Sequence, residues 1–177
     1  MNSYSPARKG AWLALAAAAL FGLSTPLVQQ FGQGLGAFTT AGLLYLGAAG
    51  VAFWQRQPAS REARVRRGDA LRLLSMAFFG AVLGPVALAW GLQRTSGTSA
   101  SLMLTLEAVF TAVLAWRMYG ETMDRRVAAA LLLLVAGGGA LVFEQGLAGG
   151  NQMLGLLAVL GATAAWGLDN SLSRGVA

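Results

Sequence analysis

The stretch SASLMLTLEAVFTAVLAWRMYGE, Ser99–Glu121, is apolar over the length of a membrane span and carries one carboxylate, Glu107, near its middle. About 20 apolar residues in a helix cross the hydrocarbon core of a bilayer. A carboxylate at that depth is costly and normally faces protein or a water-filled cavity. The stretch therefore predicts a membrane helix that needs other helices around it to shield Glu107.

The composition of the whole chain agrees with a membrane protein. Of its 177 residues, 56% are hydrophobic and 11% are charged, against about 25% charged in a soluble domain. The sequence contains no Cys and no His, which excludes a disulfide framework, a thiolate metal site and the usual general base. It indicates no cofactor and no metal site. Because no acid pair or nucleophile–base set occurs at useful spacing, we expect no enzymatic activity.

The apolar runs predict an all-α integral membrane protein, a polytopic bundle of six helices. The predicted spans are about Trp12–Gln30, Ala37–Trp54, Ala70–Leu92, Thr98–Met118, Val127–Phe143 and Met153–Leu172. Short links make neighbouring helices antiparallel, so successive links alternate sides. Of the 13 basic residues, only Arg94 then falls on the second side. Basic residues stay cytoplasmic, so we expect the N-terminus inside and the first helix retained.

The segment Gln55–Asp69 is rich in arginine and lies on the predicted cytoplasmic side. It contains no aromatic residues for base stacking. We interpret it as topogenic charge next to anionic lipid, and we predict no nucleic-acid partner. Four tryptophans fall near the same face and are expected to be interfacial anchors: Trp12, Trp54, Trp116 and Trp166.

The sixth predicted helix resembles the first. At an offset of 145 residues, Phe21-Gly22-Leu23 aligns with Trp166-Gly167-Leu168, and each triplet is followed by a polar pair, Ser24-Thr25 or Asp169-Asn170. A unit of five helices is odd, so the second copy enters the membrane from the opposite side, as in the inverted repeats of secondary transporters. We expect a first repeat over residues 12–143 and one helix of an incomplete second repeat over 152–177. The chain would then be a fragment, needing the missing repeat or a second copy as its partner.

Two polar positions in the spans are candidates for substrate binding or proton coupling. Glu107 has apolar neighbours one turn away except Thr111, so its partner must come from another helix or from water. It is either a coupling group or a structural carboxyl that burial keeps protonated. Ser24-Thr25-Pro26 predicts a kink whose freed carbonyls and hydroxyls could line a cavity, or an ordinary kink satisfied by packing. Gly84-Pro85 is a second break of the same kind.

Three further residues complete the candidate set. Asp169, followed by Asn170, is a coupling group or a solvated charge near Arg174 at the cytoplasmic end of the last helix. Tyr45 could reach a pocket with its hydroxyl or simply pack. Gly80 is not a site candidate; with Gly84, one turn later, it forms one of the small-residue pairs that permit close helix packing.

The run GLQRTSGTSASLMLTLEAVFTAVLAWRMYGETMDRRVAAALLLLVAGGGALV, Gly91–Val142, resembles the end of an EamA domain of the drug/metabolite transporter superfamily. The resemblance rests on the Leu-Glu-Ala-Val-Phe segment, on Gly120-Glu121 and on the Gly-rich helix that follows. Trp166-Gly167-Leu168-Asp169-Asn170 resembles the first helix of the family's second repeat.

The resemblance implies a ten-helix transporter of two inverted repeats with a central substrate cavity. We therefore expect a secondary active transporter, an exporter, of small organic metabolites, amino acids or drugs in a bacterial inner membrane. Its small-molecule substrate would lie between the first, third, fourth and sixth helices. The alternative is a non-transporting membrane scaffold, or a half-size subunit that needs a partner.

Overall fold

The computed structural model describes residues 6–56 and 66–175. Within those ranges all regular structure is helical, and six helices are long and apolar enough to cross a membrane. They are α1 Pro6–Phe31, α2 Ala37–Gln55, α3 Arg67–Leu92, α4 Gly97–Tyr119, α5 Arg125–Ala148 and α6 Gly150–Ser173. The predicted fold, an all-α polytopic bundle, is confirmed. Helices α1 and α5 run past the predicted spans because they continue into their polar flanks.

The basic segment between α2 and α3 is only partly described, since residues 57–65 lie outside the described ranges. The prediction of topogenic charge there stays a prediction. So does the cytoplasmic position of the N-terminus.

Helix α3 changes its hydrogen-bond register in the middle. An α-helical segment, Ala70–Met76, passes into a wider π-helical turn, Ala77–Leu83, and then returns to α-helix over Gly84–Leu92. The cause is Pro85, whose ring in an α-helix would clash with the carbonyl of Ala81. In the wider turn the Gly84 N–H donates to the carbonyl of Phe79, five residues back. The break predicted at Gly84-Pro85 is thus a π segment directly before the proline.

The π register leaves the carbonyl of Gly80 without a backbone donor. Its partner five residues on would be the N–H of residue 85, and proline has none. A buried carbonyl normally finds a partner elsewhere in the structure. Side chains from two other helices fill this role, as described below.

Helix α4 is interrupted at a position that the sequence did not signal. One helical segment ends at Leu104 and the next begins at Glu107, with a turn at Thr105-Leu106 between them. Glu107 therefore begins a half-helix and does not sit in the middle of one continuous helix. Helix α4 ends at Gly120, which adopts the left-handed conformation with φ 66°, where glycine carries no steric penalty.

Helix α6 is the centre of the bundle. In its spanning window 39% of the residues are buried, against 6% for α1. The core includes residues from α3, α4 and α6: Leu88, Leu92, Met103, Leu104, Leu156 and Val159. Glycines allow the helices to approach closely, because a Cβ on Gly91 would lie 2.7 Å from the carbonyl oxygen of Gly155. This is the small-residue packing expected of membrane helices.

Candidate functional site

A small cavity lies between α1, α2, α3 and α6. It encloses about 170 Å³. Its walls are mostly apolar, and its polar groups come from Ser24, Thr25, Tyr45 and the indole N–H of Trp166. The lining residues are Phe21, Ser24, Thr25, Val28, Leu44, Tyr45, Pro85, Leu88, Ala89, Leu92 and Trp166. An apolar pocket with a few convergent polar groups is the usual form of a small-molecule site.

The wall of this cavity is fixed by two hydrogen bonds to the carbonyl oxygen of Gly80. The hydroxyl of Tyr45 donates to it at 2.8 Å, and the indole Nε1 of Trp166 donates to it at 3.0 Å. These bonds satisfy the carbonyl that Pro85 deprives of a backbone donor. They also tie α2 and α6 to the π segment of α3. The Tyr45 hydroxyl thus forms a hydrogen bond at the cavity, in addition to the packing of its ring.

Trp166 fits this position because of its neighbours. A Cβ on Gly84 would lie 2.6 Å from the Trp166 Nε1, so only glycine leaves room for the indole. On its other side Trp166 meets Phe21 edge to face, with ring centroids 6.3 Å apart at 79°. The expectation that Trp166 is an interfacial anchor is wrong, since its N–H is bound inside the bundle.

Asp169 lies directly against Gly80. A Cβ on Gly80 would be 2.6 Å from the carboxyl carbon of Asp169. Asp169 therefore contacts α3 near the middle of that helix, although it lies four residues before the end of α6 at Ser173. Arg174 pairs with Glu121, and the two interpretations of Asp169, a coupling group or a solvated charge, both stay predictions.

Glu107 and Asn170 meet at the contact between α4 and α6. The Asn170 amide Nδ2 donates to the Glu107 Oε1 at 2.8 Å. The partner of Glu107 thus comes from another helix, as its apolar one-turn neighbours predicted. Asp169 is close enough to interact electrostatically with both Glu107 and Tyr45, so it connects this pair to the cavity wall.

Comparison with known proteins shows which family the chain belongs to. The model of the EamA-like transporter family matches residues 8–143. The chain belongs to the EamA-like transporter family. A curated protein of Methanothermobacter thermautotrophicus, named an uncharacterized transporter, is 36% identical over 63 residues. That match covers 36% of this chain and 18% of the relative's length. No solved structure matches the chain significantly.

Family membership confirms the resemblance drawn from the sequence and is consistent with the drug/metabolite transporter superfamily. With six apolar helices, it establishes the EamA chain as a membrane protein of a transporter family.

Of the eight predicted site residues of the EamA chain, three line the cavity and the others lie outside it. Ser24, Thr25 and Tyr45 line the cavity. Asp169 lies behind the cavity wall, and Asn170 and Glu107 form the adjoining pair. The backbone N–H of Thr111 faces Gly167 of α6, at 3.3 Å from the position of a Cβ there. This cavity lies between α1, α2, α3 and α6; the expectation that the substrate lies between α1, α3, α4 and α6 stays a prediction.

Pro26 lies apart from Ser24 and Thr25. It faces a separate cleft between α1 and α4 together with Gly22, Gln29, Gly97, Thr98, Ser101 and Leu102. Helix α1 stays helical on both sides of Pro26, and the hydroxyls of Ser24 and Thr25 donate to the Phe21 carbonyl at 2.7 and 3.2 Å. The carbonyl that Pro26 deprives of its donor is that of Gly22, so these two bonds do not satisfy it.

Two groups of residues were missed in the EamA sequence. Trp166 lines the cavity and donates to the Gly80 carbonyl beside it, and the signal for these two residues was present in Pro85 and in the repeated aromatic-Gly-Leu triplet. Gln29 and Gln93 connect helix ends on the side where Arg94 lies, opposite the other basic residues. Gln29 Nε2 donates to the Thr95 carbonyl at 2.9 Å, and Gln93 Nε2 donates to the Leu35 carbonyl at 2.9 Å.

Proposed function

We propose that this chain provides the substrate cavity of a secondary active transporter that exports small organic metabolites, amino acids or drugs across a bacterial inner membrane. The observation that carries the proposal is the cavity between α1, α2, α3 and α6, with its apolar walls and its polar contact at Gly80. Secondary transporters bind substrate near the middle of the membrane, at broken helices. Tyr45 and Gly80 lie midway along their helices, and the break in α3 is at the cavity itself.

In this proposal Glu107 and Asp169 are the coupling groups. An ionisable residue inside a membrane is costly and is a functional candidate by default. Glu107 holds one hydrogen bond, from Asn170, and Asp169 interacts electrostatically with it. Two carboxylates close to each other disfavour the state in which both are charged. Such a pair is therefore suited to bind and release a proton.

The proposal includes a partner for α1. Helices α1 and α6 resemble each other in sequence, yet the spanning window of α1 is 6% buried and that of α6 is 39% buried. A second repeat, or a second copy of the chain, would give α1 the contacts that α3 and α4 give α6. Cross-linking in the membrane from cysteines introduced on the exposed face of α1 tests this proposal. Cysteines that react only with lipid-phase reagents and form no cross-link to protein would contradict it.

The experiment for transport uses the full chain in proteoliposomes with an imposed pH gradient and a panel of radiolabelled amino acids, amines and organic acids. We expect the gradient to drive at least one compound. Glu107→Gln keeps an oxygen for Asn170, so folding is retained while the gradient loses its effect. The matched control is Glu144→Gln, which changes an exposed carboxylate near the end of α5. Gradient-driven transport by Glu107→Gln equal to that by Glu144→Gln contradicts the coupling role.

A further inference from the structure

The four polar side chains that line the cavity use their hydrogen-bond donors within the protein. Ser24 Oγ and Thr25 Oγ1 both donate to one backbone carbonyl of α1, at 2.7 and 3.2 Å. The Tyr45 hydroxyl and the Trp166 indole both donate to the Gly80 carbonyl, which lies beside the cavity. A ligand group that only accepts hydrogen bonds, such as a carboxylate, therefore meets no free donor from these side chains.

The three hydroxyl oxygens keep the capacity to accept a hydrogen bond. A hydroxyl has one donor hydrogen and two acceptor lone pairs, whereas an indole N–H only donates. Ser24, Thr25 and Tyr45 can each still accept after their own hydrogen is used. A ligand O–H or N–H group can therefore be satisfied in the cavity without breaking a bond that the protein already makes.

The lining carries no charge to pair with an ionic ligand. Among the described residues, none of those that line the cavity is charged. Asp169 packs against Gly80 and lies outside the lining, so it offers a bound cation no contact. Burying a charge without a partner costs far more than burying a neutral group. The cavity therefore disfavours both anions and cations, including amino acids with their two charged ends.

The size of the cavity suits a single ring. Its volume is about 170 Å³, and a cavity of about 150 Å³ holds one benzene molecule. The rings of Phe21 and Trp166 and three leucine side chains supply most of the wall. Aromatic and aliphatic walls of this kind gain free energy by removing an apolar ring from water.

We propose that the cavity binds an uncharged molecule with one aromatic ring and one small O–H or N–H group, of the phenol class. The ring lies among the apolar side chains, and its donor bonds to one of the three hydroxyl oxygens. This inference rests on the proposed function for its setting and narrows the substrate to a chemical class. Phenol itself is neutral at pH 7 and fits the volume.

The test is calorimetric titration of the full chain in nanodiscs at neutral pH, with empty nanodiscs titrated alongside to subtract partition of the probes into lipid. The probes share one benzene ring. Phenol carries a donor, benzaldehyde only an acceptor, benzylamine a positive charge and benzoate a negative charge. We expect saturable binding of phenol, about two- to tenfold tighter than that of benzaldehyde because of one hydrogen bond. Both ions should bind at least about tenfold more weakly than phenol, since their charges find no partner.

Two variants locate the site. Ala89 lines the cavity and is 2% exposed, so the larger side chain of Ala89→Leu takes the place of the ring and should abolish phenol binding. Ala48→Leu, at an exposed position of α2, is the matched control and should bind phenol as before. Ser24→Ala/Thr25→Val/Tyr45→Phe removes the three oxygens while it nearly preserves shape. It should bind phenol and benzaldehyde with equal affinity.

Four results would overturn the inference: no saturable phenol binding, an ion that binds as tightly as phenol, benzaldehyde that binds as tightly as phenol, or unchanged phenol binding in a folded Ala89→Leu variant. Should Ala89→Leu fail to fold, a triple variant that still prefers phenol to benzaldehyde overturns it. Gradient-driven transport of ions alone, with phenol included in the transport panel, would refute the phenol class and leave the proposed function standing. Saturable phenol binding with no transport of any panel compound would do the reverse.

Discussion

Replacing Gly84 by alanine tests the contact that seats Trp166 in the cavity wall. The new Cβ would lie 2.6 Å from the indole Nε1 and 2.8 Å from Cε2, closer than two such atoms can approach. The indole is rigid and is backed by Phe21, so it cannot turn aside without losing its hydrogen bond to the Gly80 carbonyl. We expect Gly84→Ala to displace Trp166 and loosen α6 from α3.

The size of the effect follows from three contributions. Overpacking of this kind costs about 1–3 kcal/mol, and the lost hydrogen bond costs about 1 kcal/mol. Alanine regains about 1 kcal/mol over glycine in a helix. The expected net loss in the free energy of unfolding is about 2 kcal/mol. Gly137→Ala, at a helical position of α5 with nothing within 4 Å, is the matched control and should be neutral or slightly stabilising.

The assay is unfolding of the purified chain in mixed micelles by increasing detergent denaturant, followed by far-UV circular dichroism. A double-mutant cycle with Trp166→Phe locates the cause, because the smaller ring relieves the clash. The two changes should then couple by about 1 kcal/mol or more. Equal stability of Gly84→Ala and Gly137→Ala, or strictly additive effects in the cycle, would refute the reasoning.

Two further predictions concern the packing of the bundle. Gln29→Glu replaces an amide donor by an acceptor that faces the backbone carbonyls of Leu92 and Thr95, so the free energy of unfolding should fall by about 1–3 kcal/mol. Gln30→Glu, at an exposed neighbouring position, is the control. Equal stability of the two variants would contradict the role of the amide. Gly138→Ala places a Cβ 2.7 Å from the Leu106 Cδ1, whereas Gly139→Ala meets open space. In the same unfolding assay Gly138→Ala should be less stable than Gly139→Ala by about 1 kcal/mol, and the opposite order would show that α5 packs on α4 differently.

The spans were predictable because length and apolar composition decide them in a membrane. The interruptions were predictable only in part. Pro85 predicts a break in α3. Whether the helix kinks or widens into a π turn depends on which groups donate to the freed carbonyl of Gly80. Here that is Tyr45 and Trp166, which are 40 residues before and 81 residues after Pro85 in the chain. The turn at Thr105-Leu106 has neither glycine nor proline to announce it.

The polar residues of the spans were found because they are rare there, but their contacts could not be predicted by counting along one helix. Asp169 lies late in α6, and counting along the helix puts it near the cytoplasmic surface. The structure aligns α6 against α3 so that Asp169 meets Gly80, halfway along that helix. The offset between two packed helices is a tertiary property, set here by glycines that admit Trp166 and Asp169. The sequence of α6 alone therefore does not determine this offset.

The contact between Phe21 and Trp166 bears on the repeat. The predicted repeat, with its offset of 145 residues, would make these two residues equivalent, and in the structure their rings pack edge to face at 6.3 Å, within the range that aromatic pairs prefer. In an inverted repeat the two copies are related by a two-fold axis in the membrane plane. Only residues close to such an axis can touch their own equivalents. We infer that the axis of the predicted repeat would pass between Phe21 and Trp166, so that the cavity they line would lie between the two repeats.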